Sequence, residues 1–180
     1  MQIESIKIQN YRTFRHAHLD GLPRLVTLVG ANGTGKSTLF DVFSFLKDAL
    51  AHNVGKAVAR RGSMRELRSR DQRGPIQIEI KFRESGGRLA TYELAFDELD
   101  GRVVIEREVL KYRHGQEGRP WHFVDFQQGK GTAITNESAY GLAGTDEQRA
   151  VFALDEPDVL AIKGLGQFKE FRVVAEFRSL

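Results

Sequence analysis

Residues Gly30-Ala31-Asn32-Gly33-Thr34-Gly35-Lys36-Ser37-Thr38 place a lysine and two hydroxyls directly behind a glycine-rich stretch. The spacing Gly-x4-Gly-Lys-Ser is the Walker A pattern, and the chemistry it suits is the holding of a polyphosphate. Glycines let the backbone wrap close to phosphate oxygens, where a side chain would intrude. The N–H groups of such a loop, together with the positive end of a following helix, attract the anion. Lys36 supplies a mobile point charge for the β- and γ-phosphates. Ser37 offers its hydroxyl to Mg²⁺, and Thr38 is placed to bond the α-phosphate. The loop thus implies a nucleotide site made of Gly30, Asn32, Gly33, Thr34, Gly35, Lys36, Ser37 and Thr38, with Mg²⁺ as the accompanying ion.

A strand must lead into this loop and a helix must follow it. Leu25–Val29 is a compact apolar run, expected to be a strand buried on both faces. Leu39, Phe40, Val42, Phe43, Phe45, Leu46 and Leu50 recur at spacings of three and four, as on one face of a helix. Upstream, residues 3–8 alternate as a strand does. Downstream, 76–83, 88–96 and 102–112 alternate too, separated by Ser85-Gly86-Gly87 and by a turn ending in Gly101. Three period-two runs joined by short turns predict an antiparallel meander. Phe123–Phe126 is a candidate further strand. Residues 129–145 read as loop, and 147–168 as helical with an interruption at Pro157. Residues 171–177 fit strand or helix equally. The expected organisation is a core over 1–50, a basic loop over 51–75 with a short helix near Met64–Leu67, a meander over 76–126, and a loop with a helical segment over 127–180.

Other residue groups carry weaker chemistry. Val151-Phe152-Ala153-Leu154-Asp155-Glu156-Pro157 reads like a Walker B strand, with Asp155 in the Mg²⁺ shell and Glu156 polarising the attacking water. Against this, polar residues 145–149 leave little room for a long buried strand. No Leu-Ser-Gly-Gly-like loop precedes the pair, and the last histidine is His122. Asp155 and Glu156 read more readily as a decoy than as a catalytic pair. Arg60, Arg61, Arg65, Arg68, Arg70 and Arg73, with Lys56, suit a DNA-facing patch or a solvated loop; without interleaved aromatics the solvated loop is favoured. Asp71-Gln72-Arg73-Gly74 follows no strand, and no guanine-reading motif exists, which argues against a GTPase. A small-molecule kinase fits poorly with the long meander. His16 and His18 share a strand face without a third ligand and read as surface histidines. Trp121 reads as a packing anchor.

The composition is that of an ordinary folded chain. With 180 residues it can bury one core, or one core and a small appendage. No apolar run approaches the ~20 residues of a bilayer span, and the absence of cysteine excludes disulfides and thiolate metal sites. A net charge of +3 is too small to argue nucleic-acid binding by itself. The expected location is cytoplasmic.

The opening Met1-Gln-Ile-Glu-Ser-Ile-Lys-Ile-Gln-Asn-Tyr-Arg-Thr-Phe-Arg15, followed by a turn and Gly30–Thr38, resembles the start of an ABC-type ATPase head. It is most similar to the RecF/SMC/OLD-like AAA family of predicted ATPases. Asn32 in the loop and the aromatic-basic-aromatic stretch after the first strand carry the likeness. The resemblance implies an α/β phosphate-loop NTPase with an antiparallel layer, here without its carboxy-terminal lobe. It implies ATP with Mg²⁺ as ligand, Arg12 and Arg15 near the nucleotide, and heads that pair around ATP. It further implies coupling of nucleotide state to DNA or a protein partner, in DNA maintenance or defence. On this reading an apolar strand ending in Asp-Glu is expected downstream of Leu180. The alternative is a nucleotide-gated binding module without turnover of its own.

Overall fold

The computed structural model describes residues 1–112, 121–134, 149–165 and 177. Within them, eight strands form one antiparallel sheet: β1 (Gln2–Tyr11), β2 (Phe14–Leu19), β3 (Ile76–Arg83), β4 (Leu89–Leu99), β5 (Arg102–Tyr112), β6 (Trp121–Gln127), β7 (Lys130–Ile134) and β8 (Arg149–Ala153). Their order across the sheet is β2-β1-β3-β4-β5-β6-β7-β8. Four helices accompany it: α1 (Lys36–Ala51), α2 (Val54–Ala59), α3 (Met64–Leu67) and α4 (Ala161–Leu165).

Alternation explains the strands. On β3, Ile76, Ile78, Ile80 and Phe82 are buried, while Gln77 and Arg83 are exposed. Ile6 and Ile8 of β1, opposite Ile80 and Ile78, continue the same inner face. Side chains of period two therefore build one apolar surface, which needs a cover. Helix α1 provides it. Val42, Phe45, Leu46, Ala49 and Leu50 are buried at helical spacing, and Phe45 stacks on Phe96 of β4 with ring centroids 4.9 Å apart. Phe177 covers another part of the inner face, its ring 4.3 Å from that of Tyr92.

The meander matches expectation, as do α1 and the short α3. Several elements differ. Residues 25–29 form no strand: Leu25 is 83% and Val29 91% exposed. A buried strand needs neighbours for its backbone groups, and none of the described strands runs beside this segment. The stretch expected as loop after Gly129 begins with β7. Within the stretch expected as helix, 149–153 is the edge strand β8, held in register by β7 from Lys130↔Ala153 to Ile134↔Arg149. Among the described residues of that stretch, only 161–165 is helical. The expected basic loop holds α2 as well as α3, each started by a side-chain cap, from Asn53 and Ser63. The expectations for 135–145 and 171–176 fall outside the described residues, as does the side chain of Trp121.

Candidate nucleotide site

Helix α1 begins directly behind the glycine-rich stretch. Gly35, its N-terminal boundary residue, lies at φ 94°, ψ 3°, in the left-handed region that favours glycine. A Cβ there would fall 2.5 Å from the Phe14 ring. No side chain caps α1, and no acidic residue occupies its first turn. The N–H groups of that turn therefore lack intrahelical acceptors and retain the positive end of the helix dipole.

Lys36 is folded back into the loop. Its ammonium donates to the carbonyl oxygens of Gly30 and Ala31, both at 2.6 Å. Thr34 closes the loop with a hydroxyl bond to Ala31 O at 2.9 Å. Asn32 and Gly33 stand exposed at the tip. Ser37 is exposed in the first helical turn, with no side-chain hydrogen bond among the described residues. Thr38 is buried and accepts the Thr13 hydroxyl at 3.0 Å. That arrangement leaves the proton of Thr38 free to be donated elsewhere.

The β1–β2 turn forms the adjoining wall. Asn10 and Arg12 both take positive φ, 62° and 48°. The surroundings hold them there. The Asn10 amide donates to Gly74 O at 2.9 Å and accepts Ser69 N–H at 3.2 Å. Arg12 N–H donates to Leu67 O at 2.7 Å, and Ser69 Oγ donates to Phe14 O at 2.8 Å. One turn thus touches the loop through Thr13 and Phe14 and the basic segment through Asn10 and Arg12. Arg12, Arg15, Arg65 and Arg70 line an open cleft that reaches Thr38.

Half of the arginine cluster is paired with carboxylates, through Arg60, Arg61 and Arg68, while Arg65, Arg70 and Arg73 are exposed. Arg61 is only 7% exposed and lies across Asp41 (2.9 Å) and Asp48 (2.8 Å), above the Phe45 ring at 5.4 Å. Burial works against its charge, but the bonds to Asp48 and Asp41 more than offset that and hold its proton tighter than usual. Burial also opposes charge on Asp48, whose carboxyl is nevertheless held below its ordinary range by Arg61 and Arg60. Arg60 pairs with Asp48, and Arg68 with Asp97. Sequence reading passed over Asp41, Asp48 and Thr13. A signal was present: two aspartates seven apart on α1 share one helix face, upstream of paired arginines.

Asp155 and Glu156 are exposed and lie away from the loop. Their neighbours are Gly129, whose O accepts Leu154 N–H, and Val54, whose N–H donates to Asp158 O at 2.9 Å. Val54 follows the far end of α1, a helix of sixteen residues and so about 24 Å long, which sets it at the opposite end of that helix from Ser37. His16 and His18 are exposed, and no group of three His, Asp or Glu that could hold a metal occurs among the described residues. No described helix is long and apolar enough to cross a membrane.

Comparison with known proteins agrees with the geometry. The DNA replication and repair protein RecF of Picosynechococcus sp. is 25% identical over 108 residues, 56% of this chain and 28% of the relative. An ATP/GTP phosphatase of Helicobacter pylori is 28% identical over 79 residues, 44% of this chain and 20% of the relative. The chain thus spans only about a fifth to a quarter of the length of these curated relatives. A solved structure, from work on ATP-driven dimerization and DNA stimulated activation of SMC ATPases, aligns with a TM-score of 0.43 at 16% identity. It covers 67% of this chain and 72% of its own, a likeness too weak to carry weight. The AAA ATPase domain matches residues 1–158, most of the chain, with Gly30–Thr38 inside the match. The chain belongs to the AAA ATPase domain family.

Proposed function

We propose that this chain binds Mg·ATP in the loop Gly30–Thr38 and forms the amino-terminal half of an ATP-hydrolysing site. The observation that carries the reading is the uncapped start of α1 behind a loop whose lysine bonds only loop atoms. A polyphosphate would take the free N–H groups and draw Lys36 off the carbonyls of Gly30 and Ala31. The proton of Thr38 would go to the α-phosphate. Mg²⁺ would take Ser37 Oγ, phosphate oxygens and water, in keeping with its preference for few protein ligands. The cleft beside Thr38, with Arg12 and Arg15 on its wall, would receive the rest of the nucleotide.

Turnover belongs to the whole protein on this reading, with the hydrolytic residues outside residues 1–180. Pairing of two heads around ATP, and coupling to DNA or a protein partner, are part of the same proposal. The curated relative's role in DNA replication and repair supports it. A second reading, a nucleotide-gated binding module without turnover of its own, is favoured by the distance of Asp155 and Glu156 from the loop.

Calorimetric titration with Mg·ATP tests both, with phosphate release followed in the same samples. Lys36→Ala is expected to lose about 2–3 kcal/mol of binding, roughly 30- to 150-fold, and neither chain is expected to release phosphate. Release that requires both Lys36 and Glu156, checked with Glu156→Gln, would restore the Asp155-Glu156 pair to catalysis. Unchanged affinity in Lys36→Ala would end the loop assignment.

A further inference from the structure

Asp41, in the second turn of α1, joins the neighbouring Tyr11 and Arg12 to the distant Arg61. Its Oδ2 accepts the Tyr11 hydroxyl at 2.8 Å and lies 2.8 Å from Arg12 Nε. Its Oδ1 accepts Arg61 Nε–H at 2.9 Å. The two arginines depend on it unequally. Arg61 has a second carboxylate in Asp48 and a carbonyl partner in Ala57. For the Arg12 side chain, Asp41 is the one anionic partner among the described residues.

Arg12 is also held at its backbone, with φ 48° and its N–H on Leu67 O. Its Nε sits 2.8 Å from Asp41 as an ion pair without making a hydrogen bond, and its terminal nitrogens have no partner among the described residues. The side chain is partly exposed and lines the same cleft as Thr13 and Thr38. A guanidinium held by an ion pair at Nε still presents its other two nitrogens as a planar fork, the arrangement that suits phosphate oxygens.

We propose that Asp41 is a positioning residue: its charge beside Arg12 Nε keeps the guanidinium at the cleft beside Thr38, where its terminal nitrogens take a phosphate oxygen of the bound nucleotide. The proposal rests on the nucleotide reading above and adds to it a residue outside the loop. A carboxylate on α1 keeps the cation in place before ligand arrives, so less side-chain freedom is lost on binding. Asp41 itself touches no ligand.

The test is a double-mutant cycle on Mg·ATP affinity with the 180-residue chain: wild type, Asp41→Asn, Arg12→Ala and the pair. Asparagine keeps the size of the side chain and an acceptor for Tyr11. Each single variant is expected to bind about tenfold more weakly, and the pair no more weakly than the worse single. A merely structural role for Asp41 would weaken binding again in the Arg12→Ala background, and that additive result overturns the proposal. So does Asp41→Asn with wild-type affinity. Thermal unfolding shows whether Asp41→Asn folds. If it does not, Arg12→Lys decides, because lysine keeps the charge but has no fork. Loss close to that of Arg12→Ala supports the proposal, and wild-type affinity overturns it. Wild-type chain that takes no Mg·ATP removes the nucleotide reading and this proposal together, whereas binding by wild type with an unchanged Asp41→Asn removes this one alone.

Discussion

Replacing Gly35 by alanine is expected to destabilise the chain by about 2–4 kcal/mol and to abolish measurable Mg·ATP binding. Two costs combine. The residue sits at φ 94°, where a Cβ alone costs about 1–2 kcal/mol. The added methyl would also lie 2.5 and 2.9 Å from two ring atoms of Phe14 and 3.3 Å from Thr13 Oγ1. Phe14 cannot simply move aside, because its ring packs against the core and its carbonyl is held by Ser69. Relief by shifting the backbone would turn the N–H groups of the first α1 turn away from the loop and spoil the anion site. Urea unfolding and Mg·ATP titration of Gly35→Ala measure both effects. Adding Phe14→Ala should recover part of the stability by removing the clash, while the backbone strain remains. A Gly35→Ala chain that unfolds and binds like wild type would show that Phe14 does not pack over the loop.

The second large effect concerns pH. Glu108 of β5 lies on the inner face of the sheet, 1% exposed. It accepts Ala161 N–H at 2.5 Å, Ile162 N–H at 3.2 Å and the Tyr92 hydroxyl at 3.2 Å. Burial raises its pKa to about 7, against the opposing pull of those three donors. In the unfolded chain it is an ordinary carboxyl, near 4.3. Between these values the folded state binds the extra proton, so Glu108 contributes stability that is complete below about pH 4 and lost as pH rises through 7. The span corresponds to about 4 kcal/mol. Glu108→Gln removes the titration, although its amide nitrogen cannot accept one of the three donors and a pH-independent cost follows. Relative to wild type it is expected to gain about 3 kcal/mol of stability between pH 4.5 and pH 8. Urea unfolding of both chains at several pH values checks this. Asp48 and Glu84, with lowered pKa values, contribute in the opposite sense and lose their contribution as pH falls. They are common to both chains and cancel in the difference. Parallel profiles would mean that Glu108 does not titrate in this window.

The loop, the meander and the first helix were legible in the sequence because each rests on neighbours a few residues away. Glycine at a positive-φ turn, as at Gly87 and Gly101, and alternation along Ile76–Phe82 are short-range steric facts. The family resemblance covered the same stretch and held over residues 1–158. What the sequence left open was decided by partners distant along the chain. The run 149–153 became a strand because β7 lay beside it, which periodicity of a five-residue segment cannot reveal. The equally apolar run 25–29 stayed out of the sheet because no described strand pairs with it. The dense arginines looked like one feature, yet Arg60, Arg61 and Arg68 are matched with carboxylates twelve to twenty-nine residues away. Sequence alone determined that this protein holds a glycine-rich loop of the Walker A pattern ahead of a helix on an antiparallel sheet. The tertiary structure alone decided which charges remain free to face that loop, because a charge is neutralised by whatever lies within a few ångströms of it, however far off along the chain.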